Sequence, residues 1–281
     1  MIKADCHIHG VLDGVDWRRA LQRHAPAPHE GFIRNMLRTY AAQGYTYLRD
    51  GGDRWGVGVL ARELAPEYGI TYRTPGAPLC QKGRYGGFIG ETYESLQEYA
   101  ALVRKARETG MDFIKIMISG LMDFSQFGVL TEPGMEKAQI RELIHIAHQE
   151  GMAVMAHANG TPTVLAAAEA GVDSVEHGAY LQAEALAAMK EMGTVWVPTL
   201  STMGNLRGKD RFDQAQVEKI LQSALENVSA FAQMGGLIAP GTDAGAWSVP
   251  HGSETELALL HGAGVENDTL ERGISRIMEK F

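Results

Sequence analysis

Two rhythms of apolar and polar residues take turns along the chain. Short β-prone runs stand at IKADC, YTYLR, ITYRT, FIKIM, MAVMA, VDSVE, TVWVP and GLIAP. Between most of them lie segments whose apolar residues recur every three to four positions, the helical period. These include ESLQEYAALVRKARETG, EKAQIRELIHIAHQEG, TVLAAAEAG, EALAAMKEMG and QVEKILQSALENVSAFAQMGG. The tail VENDTLERGISRIMEKF has the pattern of a last amphipathic helix. Several helical segments end in Gly just before the next strand, as helix C-caps do. Pro162, in GTPTVL, falls where a first helical turn tolerates proline.

Strands alternating with helices predict parallel βα units of the α/β class. Eight such units in about 250 residues predict a closed (β/α)8 TIM barrel. A doubly wound open sheet is the structural alternative. No linker, charge block or solenoid-period repeat divides the chain, so residues 1–281 are expected to form a single barrel domain. The longest irregular segments, PGAPLCQKGRYGGFIG, SGLMDFSQFGVLTEPG and LSTMGNLRGKDRF, all follow strands. Loops on that side of a barrel carry its chemistry.

Composition narrows the partners. The 281 residues are 45% hydrophobic and 21% charged, with net charge −8 and no Lys/Arg block, so the footprint of a nucleic-acid binder is missing. Two cysteines, Cys6 and Cys80, show no pairing framework, which fits a reducing compartment, most simply the cytoplasm. The start MIKADCHIHG is too short and polar for a signal peptide, and no apolar run approaches the ~18 residues of a membrane span. A small-molecule substrate is the expected partner, with no nucleic acid and no membrane; oligomeric state is open.

Strand residues alternate faces. In CHIHG, His7 and His9 share a face, and Cys6 should face the helices. In DFIKIMI, Ile114, Ile116 and Ile118 suit packing on helices, so Lys115 should point into the barrel, an expensive place for an ammonium. His157 closes the strand of MAVMAHANG. In VDSVEHGAY, Val175 and His177 should face together with Glu176 facing away, and LIAPGTDAG delivers Asp243 after the eighth strand. All six side chains stand near the carboxyl ends of strands one, four, five, six and eight, which meet at one mouth. Imidazoles and a carboxylate converging there form a divalent-metal site by ligand type. Lys115 fits if it is neutral, since desolvation beside cations lowers its pKa. As a free amine it can take up CO2 to give a carbamate that bridges two ions.

HxH on the first strand, lysine on the fourth, histidines on the fifth and sixth and aspartate on the eighth resemble the amidohydrolase superfamily, specifically its lysine-carbamate-bridged binuclear group. SVEHG, VPTL and GTDAG are similar to its imidazolonepropionase- and prolidase-like branch. The likeness runs over residues 1 to about 255. Many relatives carry a β-sandwich flanking the barrel; the position of His7 and the short stretch after strand eight lead us to expect a barrel without it.

The resemblance implies a metal-dependent hydrolase of carbon–nitrogen bonds (amide, peptide-like, cyclic amide or carbamate) using a hydroxide shared by two divalent ions. His7 and His9 would hold one ion and His157 and His177 the other. Lys115 carbamate would link them, and Asp243 would complete the set and shuttle the proton. Zinc is the first expectation, with manganese or iron accepted by the same ligands. Alternatives on the same scaffold are a mononuclear deaminase, although HANGTPTVL supplies no glutamate soon after His157, and a lactonase or phosphoester hydrolase. A barrel that binds without turnover is disfavoured because all six candidate ligands are present.

Substrate-contact candidates are Arg84 and Tyr85 in KGRYGG, Tyr180 after His177, and His251 in SVPHGSE. Arg54, Trp55 and Arg207 are lesser ones, since exposed basic loop residues are ordinarily plain surface. His145 and His148 lie off the apolar stripe of their helix and are read as helix surface; His24, His29 and His261 carry no signal.

Overall fold

The computed structural model describes residues 2–281. Its strands are β1 (Ala4–Ile8), β2 (Tyr47–Asp50), β3 (Thr71–Arg73), β4 (Leu79–Gln81), β5 (Glu91–Tyr93), β6 (Ile114–Met117), β7 (Val154–Ala158), β8 (Ser174–His177), β9 (Val195–Val197) and β10 (Leu237–Ile238). Helices follow the barrel strands: α1 (Trp17–Arg23) and α2 (Glu30–Ala42) after β1, α3 (Val57–Leu64) after β2, and α4 (Leu96–Glu108) before β6. Then come α5 (Lys137–Gln149), α6 (Thr161–Glu169), α7 (Ala183–Met192), α8 (Ser201–Gly204) with α9 (Gln214–Gln233), and α10 (Thr255–Gly262) with α11 (Asn267–Lys280). All named strand pairs are parallel, and the eight apolar runs of the sequence each supply one barrel strand.

The strands form a TIM-type barrel. β1, β2 and β3 pair in order, and β6 through β10 pair in order. Backbone bonds join the two series at both seams. Cys6 N–H donates to Pro240 O (2.8 Å), Asp243 N–H to His7 O (2.7 Å) and His9 N–H to Ala244 O (2.7 Å); Asp112 N–H donates to Thr74 O (3.1 Å) at the other seam. The segment after β3, read from sequence as irregular, instead contains β4, and β5 follows it directly; β4 pairs with β5 and, through Leu79↔Ile116, with β6. Runs of three residues with little apolar content are too short for periodicity to detect.

Two apolar layers pack outside the strands. Ile114, Ile116, Ile118, Val154, Ala156 and Val175 meet α4 to α7 and α9, while Ile8 and Leu48 meet α2 and α3. The inner layer holds Ala4, Cys6, Tyr47, Phe113, Met155, Val195, Val197 and Ala239, closed by Ile274, Ile277 and Phe281 around the end of α11. Cys6 therefore belongs to the barrel interior and not to the helix face expected of it. The cause is a register shift between Asp5 and Ile8, which interrupts the alternation where Cys6 and His7 succeed each other.

Candidate active site

The interior above the apolar layer is polar. Register pairs Lys115 with Met155 and Met155 with Ser174, and the next level up pairs Met117 with His157 and His157 with Glu176. Partners across a parallel ladder share a face, so Lys115, His157 and Glu176 all point inward. This corrects the expected alternation on β8: Val175 packs outward, and Glu176 is the inward residue. His177 reaches the mouth by another route. Its φ of 70° breaks the strand, so the residue after an inward glutamate can turn to the same side.

Thr199 (φ 50°) and Asp243 (φ 56°) share this left-handed backbone. Such conformations are unfavourable for residues with a Cβ and collect at functional sites. Three of the five non-glycine residues with positive φ among the described residues thus lie at one mouth.

Side-chain geometry brings most of the candidate set together. His7, His177 and Asp243 each offer a ligand atom within 4.8 Å of the others. His9 Nε2 lies 3.2 Å and His7 Nε2 3.5 Å from Asp243 Oδ1. The His157 and His177 rings stand 4.5 Å apart and the His7 and His177 rings 5.1 Å apart. Lys115 is 1% exposed, and among the described residues its Nζ has no hydrogen-bond partner. His7 Nε2, His9 Nδ1 and Asp243 Oδ1 are likewise buried without one. Leaving such atoms unpaired costs about 1–3 kcal/mol each. This donor set of orphaned nitrogens and a carboxylate oxygen fits divalent cations.

Neighbouring groups orient the rings. His7 Nδ1 donates to Glu176 Oε2 at 2.7 Å. His157 Nε2 faces the Gly120 carbonyl at 3.1 Å, which leaves Nδ1 as the nitrogen with a free lone pair. His177 Nδ1 bonds Thr199 Oγ1 at 2.7 Å. Burial, reinforced by the Lys115 charge, pushes His7 down to about 4 and His157 to about 3; burial and the neighbouring His157 hold His177 well below its ordinary value. These imidazoles are neutral, as metal ligands must be. Burial lowers Lys115 to about 8, against the pull of Glu176. Burial raises Asp243, but His7 and His9 outweigh it and hold the carboxyl below its ordinary value.

The loop candidates divide. Tyr85 stacks on His157 with ring centroids 4.9 Å apart, its backbone N–H held by Glu132 Oε2. Arg84 donates to the Pro133 carbonyl, and among the described residues no carboxylate pairs with it. Tyr180 stacks on Phe127 at 5.3 Å, with its hydroxyl buried and unbonded. His251 has both ring nitrogens engaged, by Leu12 O (2.9 Å) and Tyr40 Oη (3.3 Å), which ties the 249–252 turn to the loop after β1 and to α2. Arg207 pairs with Glu218, and Arg54 lies over the Trp55 ring. His145 and His148 sit on the exposed face of α5.

Glu176, Arg49, Thr199 and Asn159 surround the cluster and were not singled out from the sequence. Face alternation hid Glu176 and a purely structural look hid Arg49; the motif VPTL was the one available signal for Thr199.

Fold and mouth define the class: a (β/α)8 barrel with a histidine–lysine–aspartate cluster at the carboxyl ends of its strands. The chain belongs to the amidohydrolase family, whose model matches residues 2–277. An uncharacterized protein of Mycobacterium tuberculosis is 30% identical over 198 residues, 68% of this chain and 52% of that relative. Ochratoxinase of Aspergillus niger is 27% identical over 218 residues, 72% of this chain and 41% of the relative. The chain thus spans about half or less of these curated relatives. A crystal structure of a Xaa-Pro dipeptidase superposes with TM-score 0.79 at 21% identity, covering 99% of this chain and 75% of that one. Among the described residues no helix is long and apolar enough to cross a membrane.

Proposed function

We propose that this chain is a metal-dependent hydrolase that cleaves carbon–nitrogen bonds of the amide or peptide kind in small molecules. One observation carries the reading: His7 Nε2, Lys115 Nζ and Asp243 Oδ1 are buried at the carboxyl mouth of the barrel without hydrogen-bond partners among the described residues, beside His9 Nε2. Cations, and a carbamate on Lys115, would satisfy all three. His7 and His9 would hold one divalent ion, His157 and His177 a second, with Lys115 between them and Asp243 completing the set. Zinc is the first expectation. Bound ions of this kind supply water of lowered pKa and polarise a carbonyl.

The chain's own residues do the rest. Asp243, held as carboxylate by His7 and His9, would accept a proton from the attacking water and return it to the leaving nitrogen, base then acid. Tyr85, its phenol kept protonated by burial, is an available donor beside His157 for the developing oxyanion. Arg84 and Tyr180 stand on loops that follow barrel strands, and Arg84, with no ionic partner among the described residues, would suit a substrate carboxylate. The Xaa-Pro dipeptidase and ochratoxinase likenesses support an amide-type substrate.

The test combines metal analysis with a panel of dipeptides, N-acyl amino acids, lactones and phosphoesters. Two ions per chain and turnover of amides are expected. Asp243→Asn should keep most of the metal and lose at least about a hundredfold in kcat, the typical contribution of a positioned proton-transfer group. Near wild-type turnover in that variant would refute the role of Asp243. Turnover of lactones or phosphoesters alone would refute the bond class, and ammonia release at one ion per chain would point to a deaminase.

A further inference from the structure

We infer that Glu176, anchored by Arg49 and Ser174, is the positioning residue that fixes His7 as the tautomer with its proton on Nδ1 and its lone pair on Nε2. The inference rests on the reading of His7 as a metal ligand. Its geometry stands independently of that reading.

Glu176 Oε2 lies 2.7 Å from His7 Nδ1, and an ionised carboxylate only accepts, so the proton of that bond belongs to Nδ1. The other oxygen, Oε1, accepts from Arg49 Nη2 at 2.9 Å and from Ser174 Oγ at 2.6 Å. Both oxygens are therefore engaged, and the carboxylate cannot rotate away. Arg49 is fixed in turn: Nε donates to the Cys6 carbonyl at 2.8 Å and Nη1 to Ser174 Oγ at 2.9 Å, and the guanidinium lies 4.4 Å above the Phe281 ring. His7, Arg49, Ser174 and Glu176 are fully buried. The chain of bonds thus begins on the backbone residue next to His7 and ends on the His7 ring.

A purely structural Arg49–Glu176 pair would be an expensive way to hold a barrel, since a buried ion pair seldom stabilises more than apolar packing does. It would also leave the second oxygen free to point anywhere. Instead that oxygen meets the one ring whose other nitrogen, Nε2, is buried, unbonded and 3.5 Å from Asp243 Oδ1. The contrast with His177 is informative. Its partner Thr199 Oγ1 can donate or accept, so that contact sets no tautomer. Among the candidate ligands only His7 is backed by a carboxylate, and such partners orient the ring and raise its basicity.

Two measurements test this. Long-range proton–nitrogen NMR of the metal-stripped protein, with the His7 signal identified by its loss in His7→Asn, should show Nδ1 protonated. Competition titration with zinc should show Glu176→Gln binding about 10–100-fold more weakly than wild type, with Ser174→Ala falling between them. A glutamine can present its amide group to Nδ1 and select the opposite tautomer, so the NMR signature should change as well. An Nε2-protonated His7 in the wild type overturns the inference, whether or not Glu176→Gln folds. Equal zinc affinities for wild type and Glu176→Gln, with His7→Asn impaired, overturn the positioning role alone. If His7→Asn takes up zinc as wild type does, the metal reading of His7 itself fails.

Discussion

Glu256 offers a stability experiment whose sign follows from burial. It is 1% exposed, on α10, and its Oε2 accepts from Ser201 N at 2.7 Å and Ser201 Oγ at 2.9 Å, while Oε1 has no partner. Those bonds hold the turn after β9 that also carries Thr199, the partner of His177. Burial, aided by the nearby Asp5 charge and opposed by the Ser201 bonds, pushes the Glu256 carboxyl up from 4.5 to about 8. A carboxyl raised on folding binds its proton more tightly in the native state. Its contribution is therefore neutral below pH 4.5 and turns increasingly unfavourable as pH rises towards 8, and is fully so above. At about 1.36 kcal/mol per pKa unit the ceiling is about 5 kcal/mol, and at pH 7 about 3 kcal/mol.

Glutamine keeps the acceptor for Ser201 and carries no charge. Like the protonated acid, it leaves one atom unpaired. Urea unfolding of wild type and Glu256→Gln should thus give equal stabilities at pH 4.5. The variant should be more stable by several kcal/mol at pH 9, with other titrating groups cancelling in the difference. A difference independent of pH, or a variant less stable at pH 9, would refute the reasoning.

Three further outcomes are expected. A Cβ on Gly51 would stand 2.3 Å from His9 Cε1, so Gly51→Ala should displace that imidazole; zinc titration should show weaker uptake while circular dichroism stays unchanged. A Cβ on Gly273 would stand 2.0 Å from the Ile238 carbonyl oxygen, forcing α11 off β10; Gly273→Ala should lose about 1–3 kcal/mol in urea unfolding, the range for overpacking. Lys115→Met should abolish turnover and binuclear metal binding, yet raise the stability of chelator-treated protein by about 1–4 kcal/mol, because a buried ammonium without a partner is replaced by an apolar chain of similar length. Retained turnover, or a loss of stability in chelator, would contradict it.

The apolar rhythm of the sequence carried most of the architecture. Buried parallel strands need β-prone apolar runs, and helices lying on them need a stripe, so the eight βα units could be read off directly. The inward aim of Lys115 was legible too, because the Ile114, Ile116 and Ile118 face leaves it no other side. Alternation failed at the two places where the backbone departs from a regular strand: the register shift beside Cys6 and the positive φ of His177. Glu176 was misassigned for that reason, and with it the bond that orients His7.

By itself, then, the sequence determined which residues line up on which strand, and hence that four histidines, a lysine and an aspartate end near one mouth. Strand order and face periodicity are local properties of the chain, governed by sterics and burial over a few residues. Tertiary structure alone decided which nitrogen of His7 and of His157 is free, that Arg49 and Glu176, 127 positions apart, stand together behind His7, and that His251 is tied to Leu12 and Tyr40. Those are distances between strands far apart in sequence. They follow from how the barrel closes, which no local pattern encodes.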